Sequence, residues 1–169
     1  MASGGKPEFA PLLPPGRHLL SLTELQTLCL DRFPRPTSRD QIFAAIELLV
    51  ADLVQWGVRC ELWIDGSFLT EKHDPDDADL SVVLDDDSFS LLDVKLQADL
   101  YSMLYQKNYH AKVHTFVIVT KPMGHPDFDV ARRFAAEWSQ WWQVNRDGWI
   151  RGLAVIRLGE NDVGIRLLS

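Results

Sequence analysis

The stretch Leu62–Leu84, LWIDGSFLTEKHDPDDADLSVVL, predicts two β-strands joined by a polar loop. The first strand ends at the small-residue turn Gly66-Ser67, and the second carries Asp77 and Asp79. Because side chains two residues apart on a strand point to the same face, the two carboxylates are expected to converge on one spot. A carboxylate pair beside a small-residue turn is suited to holding a divalent cation together with a phosphate group.

A second interpretation treats the same acids as a solvated loop. Asp74 and Asp76 precede the pair, and runs of acidic residues usually lie in polar loops. The Gly66-Ser67 turn, about ten residues upstream, favours the cation site. The alternate apolar positions of the second strand are expected in the core: Leu80, Val82 and Leu84.

The combination of Gly66-Ser67 with Asp77-Ala78-Asp79 resembles the signature of the polymerase-beta-type nucleotidyltransferase superfamily. The chain is also similar to a family of small, mostly uncharacterised bacterial nucleotidyltransferase-like proteins. Three segments carry this second resemblance: Leu12–Gly16, Trp63–Phe68 followed by Thr70 and Lys72, and Arg146–Gly148.

The resemblance implies a function as well as a fold. It implies that Gly66 and Ser67 bind a nucleoside triphosphate and that Asp77 and Asp79 bind Mg²⁺ or Mn²⁺. Lys72 or Arg17 is then expected to contact the phosphates. The reaction implied is transfer of a nucleotidyl group to an acceptor that the sequence does not identify.

The superfamily places a third carboxylate on a neighbouring strand, and this chain departs from that pattern. The matching strand, 112–119, contains no Asp or Glu, and His114 stands at the best-matching position. Imidazole is a poor ligand for Mg²⁺, but it titrates near neutrality and is a suitable general base. A single strand histidine is also often only hydrogen-bonded, so both interpretations of His114 stay open.

Two hypotheses about function follow. In the first, Asp77, Asp79 and His114 are catalytic residues of an active nucleotidyltransferase. In the second, chemistry is lost and the fold is a binding or regulatory component with a protein partner. Small nucleotidyltransferase-like chains resemble members of toxin–antitoxin or phage-defence pairs, which supports the second hypothesis.

Composition limits the class of protein. The chain has 169 residues, 46% of them hydrophobic and 24% charged, as expected for a globular protein. The net charge of −7 argues against broad nucleic-acid binding, which requires a basic surface. Cys29 and Cys60 are expected to be reduced core residues. No stretch has the length of a membrane span or the apolar core of a signal peptide, so a cytoplasmic protein is expected.

The remaining pattern predicts an α/β (α+β) fold, a small mixed sheet backed by helices. Residues 1–15 are expected to form an extended N-terminal arm, and residues 16–169 a single domain. Capping boxes at Ser21 and Ser38 open two predicted helices. Further helices are predicted over about 89–106 and 127–142, and strands over 58–65, 112–119 and 153–158, the last at a sheet edge.

Three tryptophans stand close together in the last predicted helix. Trp138, Trp141 and Trp142 would form a stacking platform for bases if they were exposed. Helical spacing favours core packing for most of them, which leaves one or two for a partner.

Overall fold

The computed structural model describes residues 9–144 and 150–159. Within these ranges the chain forms six strands and five α-helices. The strands are β1 (Gly16–Leu19), β2 (Cys60–Asp65), β3 (Ala78–Asp85), β4 (Gln106–His110), β5 (Val113–Thr120) and β6 (Gly152–Leu158). The helices are α1 (Leu22–Gln26), α2 (Arg39–Gln55), α3 (Asp86–Ser90), α4 (Val94–Met103) and α5 (Phe128–Gln143).

The six strands form one mixed sheet in the order β1-β6-β2-β3-β5-β4. The pairs β1–β6 and β3–β5 are parallel, whereas β2 is antiparallel to both β3 and β6. The predicted fold class, a small mixed sheet backed by helices, is therefore confirmed.

The two faces of the sheet have cores of different size. On one face, alternate strand residues such as Leu62 and Leu80 pack with apolar residues of α1, α2 and α4 in the main core. Leu80, Val82 and Leu84 are buried there, as predicted. The opposite face has a smaller core that includes Trp63 and Val83, and α5 packs against it. Since side chains alternate along a strand, Asp65 and Asp79 belong to this second face.

The last strand is not at an edge of the sheet, so that prediction is wrong. β6 lies between β2 and β1, because the short strand β1 pairs with its outer side. The pairing continues past β1, where the Leu20 amide donates to the Val155 carbonyl at 2.9 Å. A four-residue strand carries too little alternation to be recognised from sequence.

Two local predictions on helices also differ from the structure. The capping box at Ser38 is absent, because the Ser38 hydroxyl donates to the Pro75 carbonyl instead of capping α2. The box at Ser21 with Glu24 is present. The helix expected over 89–106 is split into α3 and α4, because the Asp93 carboxylate caps a new helix start, and residues 106–110 form β4.

The described part of the N-terminal arm lies against the rest of the chain. The Leu12 amide donates to the Leu69 carbonyl, and the Glu71 amide donates to the Ala10 carbonyl. The Leu13 carbonyl accepts from the Gly152 amide. Residues 1–8 lie outside the described residues, as does the Arg146–Gly148 segment. The division into arm and domain stays a prediction. In the ranges described, no helix combines the length and apolar character needed to cross a membrane.

Candidate functional site at the ends of β2 and β3

The candidate site is built where β2 ends and β3 begins. Asp65 and Asp79 are cross-strand partners in the antiparallel pair, and Gly66 follows directly with φ +86°. A Cβ atom placed on Gly66 would lie 2.5 Å from Oδ2 of Asp79. The Asp79 carboxylate therefore packs directly against the turn, and only glycine fits there without displacing it.

The turn itself is fixed by buried anchors. Ser67–Leu69 forms one 3₁₀ turn, and the side chains of Phe68 and Leu69 are buried. The Thr70 hydroxyl and amide both donate to the Ser67 carbonyl, at 2.7 and 3.2 Å. The position of Ser67, which follows Gly66 in the turn, is thus fixed by packing against the core.

Arg39 of α2 fixes the residues that follow the turn. Its fully buried guanidinium donates to the carbonyls of Phe68, Thr70 and Lys72, at 2.7, 2.6 and 2.5 Å. It also donates to the Cys29 carbonyl at 3.1 Å. Burial lowers the pKa of Arg39 to about 10. The sequence pattern gives Arg39 no role beyond its position next to Ser38 in the capping box that does not form. Its partners are backbone carbonyls, which any residue type can supply.

Asp77 and Asp79 lie close enough to influence each other. The pKa of Asp79 is raised, first by burial and second by the charge of Asp77, while His114 and Arg151 act in the opposite direction. Oδ2 of Asp77 contacts Nζ of Lys107 at 2.5 Å. Hydrogen bonding to Asp77 raises the pKa of Lys107.

His114 lies on the neighbouring strand, level with Asp79 in the parallel β3–β5 pair. Its Nδ1 is 3.3 Å from Oδ1 of Asp79, and its side chain is about one-third exposed (32%). The strand position expected for a third carboxylate therefore presents an imidazole that contacts the second Asp.

An ion pair between Asp65 and Arg151 adjoins the site, and the sequence pattern does not predict it. Nη2 of Arg151 donates to Oδ2 of Asp65 at 3.0 Å. Nε and Oδ1 also lie 3.0 Å apart, but they are not aligned for a hydrogen bond. Burial raises the pKa of Asp65 to about 6, and the Arg151 charge opposes this rise. The only sequence signal was an acid at the end of an apolar strand, since its partner is 86 residues away.

The two cations predicted for the phosphates have other contacts. Nζ of Lys72 lies 3.2 Å from Oδ2 of Asp76. Arg17 pairs with Glu61 and lies over the Trp63 ring, 4.7 Å from its centroid. Positive charge at the carboxylates comes from Lys107 and Arg151 instead.

A row of aromatic rings leads away from His114 under α5. Centroid distances are 4.6 Å from His114 to Phe116, 5.4 Å from Phe116 to Trp138, and 5.5 Å from Trp138 to Trp141. Trp138 also donates from Nε1 to Oγ of Ser81 at 2.9 Å, so it packs on the sheet. Trp141 is 68% exposed and available to a partner. The side chain of Trp142 lies outside the described residues.

A protein-family model described as "Family of unknown function (DUF6932)" matches residues 7–157. The chain belongs to the DUF6932 family. The match includes the Gly66-Ser67 turn and every carboxylate of the site. Neither the comparison with curated proteins nor that with solved structures found a match.

The donor set of this DUF6932 chain determines which metal would suit it. Within the described ranges, no group of three or more His, Cys, Asp or Glu side chains is arranged to hold a metal ion. Asp77 and Asp79 offer two carboxylates, and Mg²⁺ is commonly bound by one or two carboxylates together with substrate phosphates and water. The residues therefore fit an ion that arrives with a phosphate ligand better than a resident metal.

Proposed function

We propose that the protein is a metal-dependent nucleotidyltransferase that transfers a nucleotidyl group from a nucleoside triphosphate to an acceptor. The contact of the Asp79 carboxylate with Gly66 is the observation that carries this proposal. It brings a cation ligand against a backbone turn without a side chain, where a phosphate oxygen can approach the main chain. The reaction is proposed for the cytoplasm.

Asp77 and Asp79 would hold Mg²⁺ or Mn²⁺. The ion, when bound, supplies charge neutralisation for the triphosphate and activation of the attacking oxygen. Gly66 and Ser67 would position the phosphates, with Lys72 as the sequence-based candidate cation. Lys107, which contacts Asp77, and Arg151 would add positive charge there.

His114 is proposed as the general base. Its Nδ1 faces Oδ1 of Asp79. This contact leaves Nε2 as the nitrogen that accepts a proton from the acceptor hydroxyl. The exposed ring of Trp141 would stack on the nucleobase at the outer end of the aromatic row.

A second candidate is a catalytically inactive binding or regulatory protein. It is favoured by the contacts of Lys107 and His114, because each already engages an oxygen of Asp77 or Asp79. Phe134 and Trp141 of α5 are more than half exposed, as expected of a surface that contacts a protein partner. Such a partner would fit a toxin–antitoxin or phage-defence pair.

Thermal unfolding with Mn²⁺ and non-hydrolysable nucleoside triphosphates tests the first candidate. At a ligand concentration 100 times the Kd, binding adds about 2.7 kcal/mol, which corresponds to a Tm rise of about 5 to 10 °C for a chain of this size. Asp77→Asn and Asp79→Asn should abolish the rise. Asp87→Asn, which alters an exposed carboxylate outside the site, should retain it.

His114→Gln separates binding from transfer. It should keep the Tm rise but lose incorporation of α-phosphate label into acceptors of a cell extract. If no triphosphate raises the Tm with either Mg²⁺ or Mn²⁺, nucleotidyl transfer is excluded. A partner that copurifies equally with the wild type and with Asp79→Asn would then support the second candidate.

A further inference from the structure

A second cleft lies on the same sheet face, between α5 and the far ends of the strands. Its volume is about 800 Å³, within the range of small-molecule sites. Val83 and Asp85 line it, and they stand four and six residues beyond Asp79 along β3. At about 3.3 Å per residue, these two residues lie about 13 and 20 Å from the Asp79 position along the strand.

The cleft is basic in a protein whose net charge is −7. Five of its lining residues are basic and only two, Glu61 and Asp85, are acidic. We call this site the basic cleft and define it by the five basic residues: Arg17, Arg59, Lys121, Arg132 and Arg157. Such local concentration of one sign of charge in a concave site attracts ions of the opposite sign.

Glu61 orders two of the guanidinium groups in the cleft. Its carboxylate contacts Nη2 of Arg17 at 2.5 Å and Nε of Arg157 at 3.0 Å, and it accepts from Nε1 of Trp63 at 2.8 Å. Burial acts to raise the pKa of Glu61, but the hydrogen bonds and charges of Trp63, Arg157 and Arg17 together lower it below its ordinary value. Because one carboxylate faces two guanidinium groups, one positive charge remains in excess. The same contacts hold both guanidinium groups in fixed orientations.

Two more arginines add charge without strong competing partners. Arg132 of α5 is largely exposed, and its nearest carboxylate, Asp129, lies 3.8 Å away. Arg59 precedes β2 and lines the cleft, packed near Gly159. The wall between these cations includes apolar groups such as Val83 and Ala135. A ligand with several negative oxygens and a small apolar body matches these surroundings.

We propose that the basic cleft binds a phosphate-bearing small molecule, independently of the carboxylate site and without a divalent cation. Guanidinium groups recognise phosphate oxygens through paired hydrogen bonds. The cleft offers four of them, since its fifth cation, Lys121, already pairs with Asp86 at 2.8 Å. The site extends the proposed function, because it would hold a phosphorylated acceptor or effector. It does not depend on that function being correct.

Calorimetric titration of the full chain in EDTA, with inorganic pyrophosphate and with ADP, tests the proposal. Binding of both with similar affinity would identify phosphate alone as the recognised group. Tighter binding of ADP would show that the apolar wall also contributes. Arg132→Gln and Arg59→Gln should each weaken binding about threefold to tenfold, and Arg133→Gln, an exposed neighbour on α5 outside the cleft, should not.

Asp79→Asn distinguishes this site from the proposed active site. It should leave EDTA-resistant binding unchanged, even if it abolishes the metal-dependent Tm rise. The proposal is overturned if neither pyrophosphate nor ADP binds in EDTA at millimolar concentration. It is equally overturned if Arg133→Gln weakens binding as much as Arg132→Gln, because the attraction would then be a general effect of charge.

Discussion

The two ends of the sheet face covered by α5 differ in charge and in burial. One end, the acidic end, carries Asp65, Asp77 and Asp79. In its Asp65–Arg151 ion pair the carboxylate is buried and the arginine side chain is 17% exposed. At the other end is the basic cleft, where the ion pairs of Glu61 are between a quarter and a half exposed. Buried charges cost much more to leave unpaired than exposed ones. We therefore expect loss of the Asp65–Arg151 pair to affect folding, and substitutions in the basic cleft to affect mainly binding.

The largest effect on stability is expected from removing the Arg39 side chain, which fixes the loop after the Gly66-Ser67 turn. Arg39→Met removes hydrogen bonds to four carbonyls and leaves several of them unsatisfied in the core. Each such group costs about 1 to 3 kcal/mol, so the free energy of unfolding should fall by at least about 3 kcal/mol. Urea denaturation measures the change.

Arg35→Met is the matched control for Arg39→Met. Arg35 is exposed and lies 3.4 Å from Asp40, so its loss should change stability by less than about 0.5 kcal/mol. Equal destabilisation by the two variants would show that the loop is not fixed by Arg39. The stability of the fold would then depend no more on the loop beside the acidic end than on exposed residues such as those of the basic cleft.

The next largest effect on stability is expected for an arginine–carboxylate pair at the acidic end, compared with a pair in the basic cleft. In both Arg151–Asp65 and Arg157–Glu61, an arginine Nε lies 3.0 Å from a carboxylate oxygen. Arg151→Met leaves a buried carboxylate without its partner and should cost about 3 kcal/mol, the lower end for a buried pair. Arg157→Met should cost less than about 1 kcal/mol, since its pair is half exposed. Similar losses in urea denaturation would contradict the difference in burial.

A pH series sharpens the result for Arg151→Met. The folded-state pKa of Asp65, about 6, lies above the ordinary value of 3.8, so the folded protein binds this proton more tightly than the unfolded chain. Stability from this group therefore increases as pH falls through 6 and is lost as pH rises. Without Arg151 the pKa rises further, and the deficit of the variant should shrink between pH 7 and pH 5. A deficit that is constant with pH would show that Asp65 is not the cause.

The sequence predicted the part of the site that is local in the chain. The strand alternation and the Gly66-Ser67 turn were sufficient to bring Asp79 to the turn, because the two strands are neighbours in sequence and in the sheet. His114, which the pattern of strand 112–119 proposes as a site residue, lies level with Asp79 in β5. The burial of Asp65 and the contact of Lys107 with Asp77 were not found. The first depends on the segment that leads into β6, which pairs with the distant strand β2, and the second on β4, which joins the sheet through a hairpin with β5.

The same limit explains the errors in the fold. The sequence does not predict β1 and β4, because both strands are short and polar. A strand of this kind is defined by its pairing partner rather than by its own residue pattern. A pattern that does not reveal β1 predicts the last strand at a sheet edge, because β1 is its outer partner. The sequence does not predict the basic cleft for a related reason. Its five cations come from separate parts of the chain, and the net charge of the whole chain is negative.

The smallest effect on stability is expected for alanine substitution at Gly66, compared with Gly124, a glycine of similar backbone conformation. Gly66 and Gly124 have φ values of +86° and +94°, so alanine is strained at both. A Cβ on Gly124 meets nothing within 4 Å, whereas on Gly66 it would clash with the Asp79 carboxylate. Gly66→Ala should therefore cost about 1 kcal/mol more than Gly124→Ala in urea denaturation. It should also abolish the Tm rise with Mn²⁺ and triphosphate, and leave pyrophosphate binding in EDTA intact. If both alanine variants bind triphosphate normally, the contact between the turn and Asp79 is not the basis of a phosphate site, and the acidic end would serve folding alone.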